Sequence, residues 1–276
     1  LQSITGKIEM SAVKIRASSW GRLFDCAFSW EGTNLLGMHS PSSPRALLGT
    51  AIHAGTAAFD TARMMHTPIS VYDAASVLVD QLQNPREEVR WAGCDLTARD
   101  AEAIGIKLLN RYCLEWSPRF NFKAVELTTK ALVIDCGGGT IIELTGTLDR
   151  ARFASYGNGA GIKDLKSGMR SVTKGQAVTK GHGAQIGTYE ILYEHTTGEP
   201  ITEDAEIIAL ATSGKGEIAT GTISGAKEMM LGDEQHKGLI QIGADMLRTG
   251  LFPPNPQSRI CDQRYCARFN SCPYHL

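Results

Sequence analysis

No stretch of this 276-residue chain stays apolar long enough to span a bilayer as a helix. Its opening residues lack the charged start and apolar middle of a secretory leader, and Leu1 in place of Met reads as a trimmed start. A soluble, cytoplasmic protein with no membrane partner is the expectation. The chain has no Gly-x-x-x-x-Gly-Lys-Ser/Thr loop and hence no ATP motor of its own; Ser213-Gly214-Lys215-Gly216 reads as a turn, not a phosphate cradle. Neither charge sign dominates: 28 Lys and Arg stand against 29 Asp and Glu. A polyanionic partner must therefore be met by a local groove rather than by the field of the whole molecule. Internal repeats and low-complexity tracts are absent. Seven cysteines is an odd count, which argues against a complete disulfide framework, and no Cys-x-x-Cys knuckle of the usual zinc kind occurs.

What is present divides by period. Ser18 or Ser19 can cap a short helix ending near Cys26. Apolar residues at helical spacing predict helices over 46–65, 71–82 and 96–116, so residues 1–120 are expected to be mainly helical. The period then becomes alternating. Strands are predicted over 122–134, 141–153 and 161–167, with Gly-rich turns at 136–140 and 156–161, which makes an antiparallel meander. A helix over 177–194, a strand over 205–211 and a long helix over 224–247 follow. The tail from Phe252 is rich in Pro, Asn, Arg and Cys, and something other than an apolar core must impose its form. The expected class is α/β: a central mixed sheet containing the meander, flanked by helices, with an N-terminal helical region and a C-terminal cysteine tail. We read 1–276 as a single domain, with the sheet core at 121–215 and a helix plus tail at 216–276.

The chemistry concentrates in the meander. Asp164 and Lys166 are two apart on a strand and so point to one face. Asp149, on the preceding strand, is brought near Asp164 by the hairpin. Two carboxylates meeting there are costly unless a cation neutralises them, and a hard divalent ion with oxygen ligands does so. A lysine beside such an ion suits phosphodiester hydrolysis, where negative charge develops on the attacked phosphate. Gln185 and Tyr189 share one face of the following helix, and His53 lies on an early one. Lys163, Lys166, Arg170, Lys174 and Lys180 form a local basic run that is either a solvated loop or a phosphate track.

The second constellation is Cys26 with Cys261, Cys266 and Cys272. Four thiolates suit either Zn²⁺ or a [4Fe–4S] cluster. Cys94, Cys113 and Cys136 are scattered and read as small apolar residues.

Taken in order from Cys26 to Cys272, these residues resemble the PD-(D/E)XK nuclease superfamily, in its RecB/AddB-type branch of exonucleases with a four-cysteine iron–sulfur cluster, as in phage and CRISPR-associated members. The resemblance implies a restriction-endonuclease-like core. It also implies Mg²⁺ or Mn²⁺ held by His53, Asp149, Asp164 and the Leu165 carbonyl, with Lys166 catalytic, Glu126 as a further acid, and Gln185 and Tyr189 supporting the site and the DNA strand. Leu148 stands where the family name has Pro, and Asp164 where Glu is more usual. For the cysteines the resemblance favours the iron–sulfur cluster over zinc. By family habit it implies DNA recombination or end processing in a bacterial or phage-infected cytoplasm. A single-strand annealing protein as partner and a homo-oligomeric assembly fit the same habit. A rival reading is a non-catalytic DNA-binding module stabilised by the cysteine site.

Overall fold

The computed structural model describes residues 12–275. The expected α/β architecture is found, with one mixed five-stranded sheet at its centre. The strands are β1 (Val13–Arg16), β2 (Phe122–Thr128), β3 (Leu132–Asp135), β4 (Ile141–Thr145), β5 (Thr147–Phe153), β6 (Ala160–Gly168), β7 (Val172–Thr173), β8 (Gln176–Ala177), β9 (Ala205–Ala211) and β10 (Ile218–Ile223), and the helices lie before β2, between β8 and β9, and after β10. These are α1 (Trp20–Asp25), α2 (Ala27–Asn34), α3 (Pro44–Met64), α4 (Val71–Gln83), α5 (Ala98–Arg111), α6 (Gly183–Thr197), α7 (Ala226–Leu231) and α8 (Leu239–Thr249). Among the described residues no helix is long and apolar enough to cross a membrane.

The central sheet runs β10-β9-β6-β5-β2, with β6 and β9 parallel and the other neighbours antiparallel. Strand β9 is buried along almost its whole length, as a central strand covered on both faces must be. Its alternation assigns the layers. Ile208 and Leu210 pack with Leu48, Ile52 and Leu109 of α3 and α5, while Ile207 and Ala209 pack with Ile186 and Tyr193 of α6.

Local chemistry explains the helix starts. Ser43 caps α3 by accepting from the Ala46 N–H, with Pro44 in the first turn. Ser70 and Asp73 form a reciprocal capping box at α4, and Thr97 accepts from the Asp100 N–H at α5. Helices α6 and α7 cross closely at Gly187, where a Cβ would sit 2.1 Å from the Ala226 carbonyl oxygen. Gly187→Ala is therefore expected to cost about 1–3 kcal/mol by forcing the two backbones apart, read as a lower midpoint in urea denaturation.

Three expectations are corrected. The strands predicted over 122–134 and 141–153 are each broken. Their outer halves, β3 and β4, join β1 in a separate three-stranded sheet, while β2 and β5 stay in the central one. The break sits at Gly146, whose carbonyl accepts from both the N–H and the hydroxyl of Thr129. A Cβ there would lie 2.9 Å from the Tyr189 ring, so only glycine lets the hairpin bend over α6. The long helix over 224–247 is two helices, because a turn from Gly232 to Gly238 intervenes, fixed by Asp233 accepting the Gln235 and His236 N–H groups. Lys163 does not belong to a basic run. It is buried, ion-paired with Glu206, and sits 4.6 Å from the Phe120 ring centre.

The tail is tied to the first helices. Arg268 donates to the Phe28 carbonyl at 3.1 Å and pairs with Glu31, and Tyr274 meets Phe28 edge-on.

Candidate active site

Strand pairing, one helix and one unusual backbone angle assemble the site. The β5–β6 ladder runs from Phe153–Ala160 to Arg150–Lys163. At the next step the Asp149 carboxylate, not a backbone carbonyl, accepts the Leu165 N–H at 2.8 Å. The strands thus part where Asp149 and Asp164 stand side by side. From the other neighbour, β2, comes Glu126, which lies between the Val125–Arg150 and Leu127–Leu148 pairs. Its φ of +49° is rare for a residue with a side chain and marks stored backbone strain. Helix α3 supplies His53, with Nδ1 3.6 Å from Asp149 Oδ2. One ligand atom from each of His53, Glu126 and Asp149 lies within 4.8 Å of the other two.

Asp164 is one strand over and outside that trio. It is 1% exposed; both oxygens are buried without a well-directed hydrogen bond, and the Lys166 ammonium is its ion-pair partner. Burial and the neighbouring Asp149 charge raise its carboxyl to about 6, against the pull of Lys166. Asp149 moves the other way, to about 2: burial opposes its charge, but His53, Lys166 and Arg150 outweigh burial. Burial also disfavours a charged His53, yet the Asp149 carboxylate leaves that imidazole above its ordinary value. Burial and Asp149 push the Glu126 carboxyl up. Two acids and an imidazole with ligand atoms close together, beside a third, buried acid whose one partner is Lys166, are the donor set of a divalent-cation site.

Of the sequence-derived residues, then, His53, Asp149 and Glu126 converge, Asp164 and Lys166 flank them as a pair, and the Leu165 amide is held by Asp149. Gln185 Nε2 donates to the Tyr189 hydroxyl at 3.1 Å, and burial together with the Asp149 and Asp164 charges raises the phenol.

Sequence reasoning missed the support beneath the site. Arg150 is fully buried and ion-paired with equally buried Asp60 of α3 at 2.8 Å. It also donates to the Asp149 carbonyl at 2.7 Å, to Glu126 Oε1 at 3.1 Å and to the Thr56 hydroxyl at 3.3 Å. Tyr112 and Ser117 donate to the same Asp60. The signal was there: His53, Thr56 and Asp60 fall on one face of α3, and an arginine sits inside a buried strand. His182, just before α6, was also missed; burial and Lys166 lower its imidazole to about 4, so it stays neutral.

Cys26, Cys261, Cys266 and Cys272 line one small cavity between α1–α2 and the tail, and all are free thiols. Burial and then the other three cysteines raise the Cys261 thiol.

Residues 17–273 match the family model of the PD-(D/E)XK nuclease superfamily. A solved structure from Eubacterium rectale, provisionally named an exonuclease, shares the fold: TM-score 0.51, 11% identity, 95% of this chain and 92% of that one covered. The crystal structure of SSO0001 aligns over 96% of this chain and 88% of its own at 15% identity, with a TM-score of 0.42, too low to weigh. No curated protein sequence matches the chain.

Proposed function

This chain belongs to the PD-(D/E)XK nuclease superfamily, and from that premise we propose that it is a divalent-metal-dependent DNA exonuclease of the RecB/AddB type. The reading takes 1–276 as one nuclease domain, acting in the cytoplasm in recombination or DNA end processing. The observation that carries it is the convergence of His53, Glu126 and Asp149 beside the Asp164–Lys166 pair.

The residues fit a divalent ion. His53, Glu126 and Asp149 would hold Mg²⁺ or Mn²⁺, with Asp164 and the Leu165 carbonyl as further ligands, and the imidazole suits Mn²⁺ well. When bound, such an ion polarises a phosphoryl oxygen and lowers the pKa of a water. The chain's own groups do the rest. Lys166, held by Asp164, places an ammonium where negative charge develops on the attacked phosphate and orients the water. Glu126, whose carboxyl burial and the Asp149 charge push up, stands as a further acid beside the trio's other members. Tyr189, braced by Gln185, keeps a neutral hydroxyl facing the acids as a support for the strand.

For the cysteine cavity we propose a [4Fe–4S] cluster. Four free thiols line the one cavity, a donor set that suits either Zn²⁺ or a cluster, and the resemblance to the iron–sulfur branch of the superfamily favours the cluster. Its role would be to fasten a tail of low apolar content to α1 and α2 across nearly the whole chain. Anaerobically purified protein should be brown, with broad visible absorbance; a colourless protein with one zinc per chain would replace this assignment.

A single-strand annealing partner and a homo-oligomeric assembly fit the same role. The decisive experiment compares end-labelled linear duplex, single-stranded and closed circular DNA, with Mg²⁺, Mn²⁺ or chelator. Release of labelled nucleotide from linear ends, dependent on metal, is the expected result. Metal-independent binding without digestion would favour the non-catalytic module instead.

A further inference from the structure

A second cavity lies beside the site, where the hairpin bends from one sheet into the other. Its volume is about 470 Å³, and its walls carry Lys14, Arg16, Thr128, Thr129, Thr145 and Thr147 but no carboxylate. Two ladders build it. Arg16 stands abreast of Thr145 in the outer sheet, and Thr128 stands abreast of Thr147 in the central sheet with hydroxyls 3.3 Å apart. Gly146 is the hinge between the two, and Tyr189 lies beneath it. Lys14 and Arg16 are two apart on β1 and share its solvent side, while Ile15 between them is fully buried. Among the described residues Arg16 makes no ion pair, and Lys14 has only Glu143 at 3.4 Å.

A concave surface of two cations and several hydroxyls, with no acid, accepts an anion rich in oxygens. Its position identifies which one. Thr147 and Asp149 are alternate residues of β5, on the same side and about 7 Å apart along the strand, roughly one nucleotide step. Tyr189 relates the two places: it lines the notch, and the Asp149 and Asp164 charges are near enough to raise its phenol.

We propose that this notch binds the phosphodiester backbone of the DNA strand next to the bond being cut, with Arg16 and Lys14 on successive phosphates and the threonine hydroxyls fixing their register. The proposal rests on the nuclease reading and adds a strand-binding subsite to it. Phosphate contacts of this kind set register and salt dependence rather than base sequence. The notch therefore favours a substrate that continues at least one nucleotide beyond the cut.

The test measures binding of a fluorescent single-stranded oligonucleotide by anisotropy, in chelator so that nothing is cleaved, across a salt series. Lys14→Gln with Arg16→Gln should weaken binding and flatten the slope of log affinity against log salt by about 1.4, two contacts at about 0.7 each. Lys107→Gln with Lys215→Gln, which removes the same charge beside α5, should leave the slope near the parent's. An unchanged slope in the notch variant, equal flattening in both variants, or no binding by the parent each overturns the subsite. The nuclease reading fails separately: a protein that binds through the notch but digests nothing keeps the subsite and loses the activity. Both exchanged side chains on β1 are exposed, so folding is not at stake.

Discussion

Lys166→Ala and Asp164→Asn should abolish DNA digestion alike, each by a factor of about 10²–10³ in turnover, while moving the stability of the metal-free protein in opposite directions. Asp164 is 1% exposed, and its oxygens lack directed hydrogen bonds. Removing the Lys166 ammonium takes away its ion-pair partner and leaves a buried carboxylate to be charged alone or protonated. Asp164→Asn removes the charge instead, and Lys166, partly exposed, can turn to water. The second variant should gain about 1–3 kcal/mol in chelator, the scale set by a buried carboxyl raised to about 6. The pH dependence follows. A carboxyl raised to about 6 when folded binds its proton more tightly than in the unfolded chain. Its charge therefore destabilises the fold fully above about pH 6, and that cost fades as pH falls toward about 4. Asp149, lowered to about 2, contributes the opposite sign: its stabilisation is present above about pH 4 and is lost only as pH falls from there toward 2. Thermal melts in chelator should thus rise more steeply for the parent than for Asp164→Asn between about pH 6 and pH 4, since the raised Glu126 and Glu190 carboxyls contribute to both. Saturating Mn²⁺ should reverse the ranking, because the parent alone gains the full binding energy. If Lys166→Ala digests DNA at the parent rate, its catalytic assignment is wrong.

The second large effect concerns the layer under the site. Asp60→Ala strands the buried Arg150 charge together with the Tyr112 and Ser117 hydroxyls, and is expected to cost about 3–5 kcal/mol. Asp60→Leu with Arg150→Met removes both charges at similar volume and should recover most of that loss in urea denaturation. Function should not recover with it. Arg150 donates to the Glu126 carboxylate and the Asp149 carbonyl, so it links two of the three strands that carry site acids to the helix that carries His53. The repaired double variant should fold well and still need a higher Mn²⁺ concentration for half-maximal binding, by about 10- to 100-fold, as when the groups that orient metal ligands are lost. Parent-like Mn²⁺ affinity in that variant would show that Arg150 serves stability alone.

Much of this was legible along the chain. Alternate spacing put Asp164 and Lys166 on one face of one strand, and i, i+4 spacing put Gln185 beside Tyr189; both relations hold. Apolar spacing over 46–65 and 71–82 located α3 and α4, because a helix repeats its buried stripe within its own turns. The bend at Gly146 was not legible, since alternation continues unbroken while the strand changes sheets. Strand β1 escaped notice because four residues carry little period and its partner, β4, lies far along the chain.

By itself, then, the sequence determined most of the longer local elements, the α/β class and the kinds of side chain available: acids, an imidazole, a lysine and four thiols. Only the tertiary structure decided that Glu126, bent to positive φ, joins His53 and Asp149 while Asp164 stands aside with Lys166. It alone revealed that Arg150 and Asp60, ninety positions apart, hold that arrangement from below. Periodicity reports which way a side chain faces within its own element. Which faces meet depends on long-range pairing and on the burial of charge, and neither is a property of any short stretch of chain.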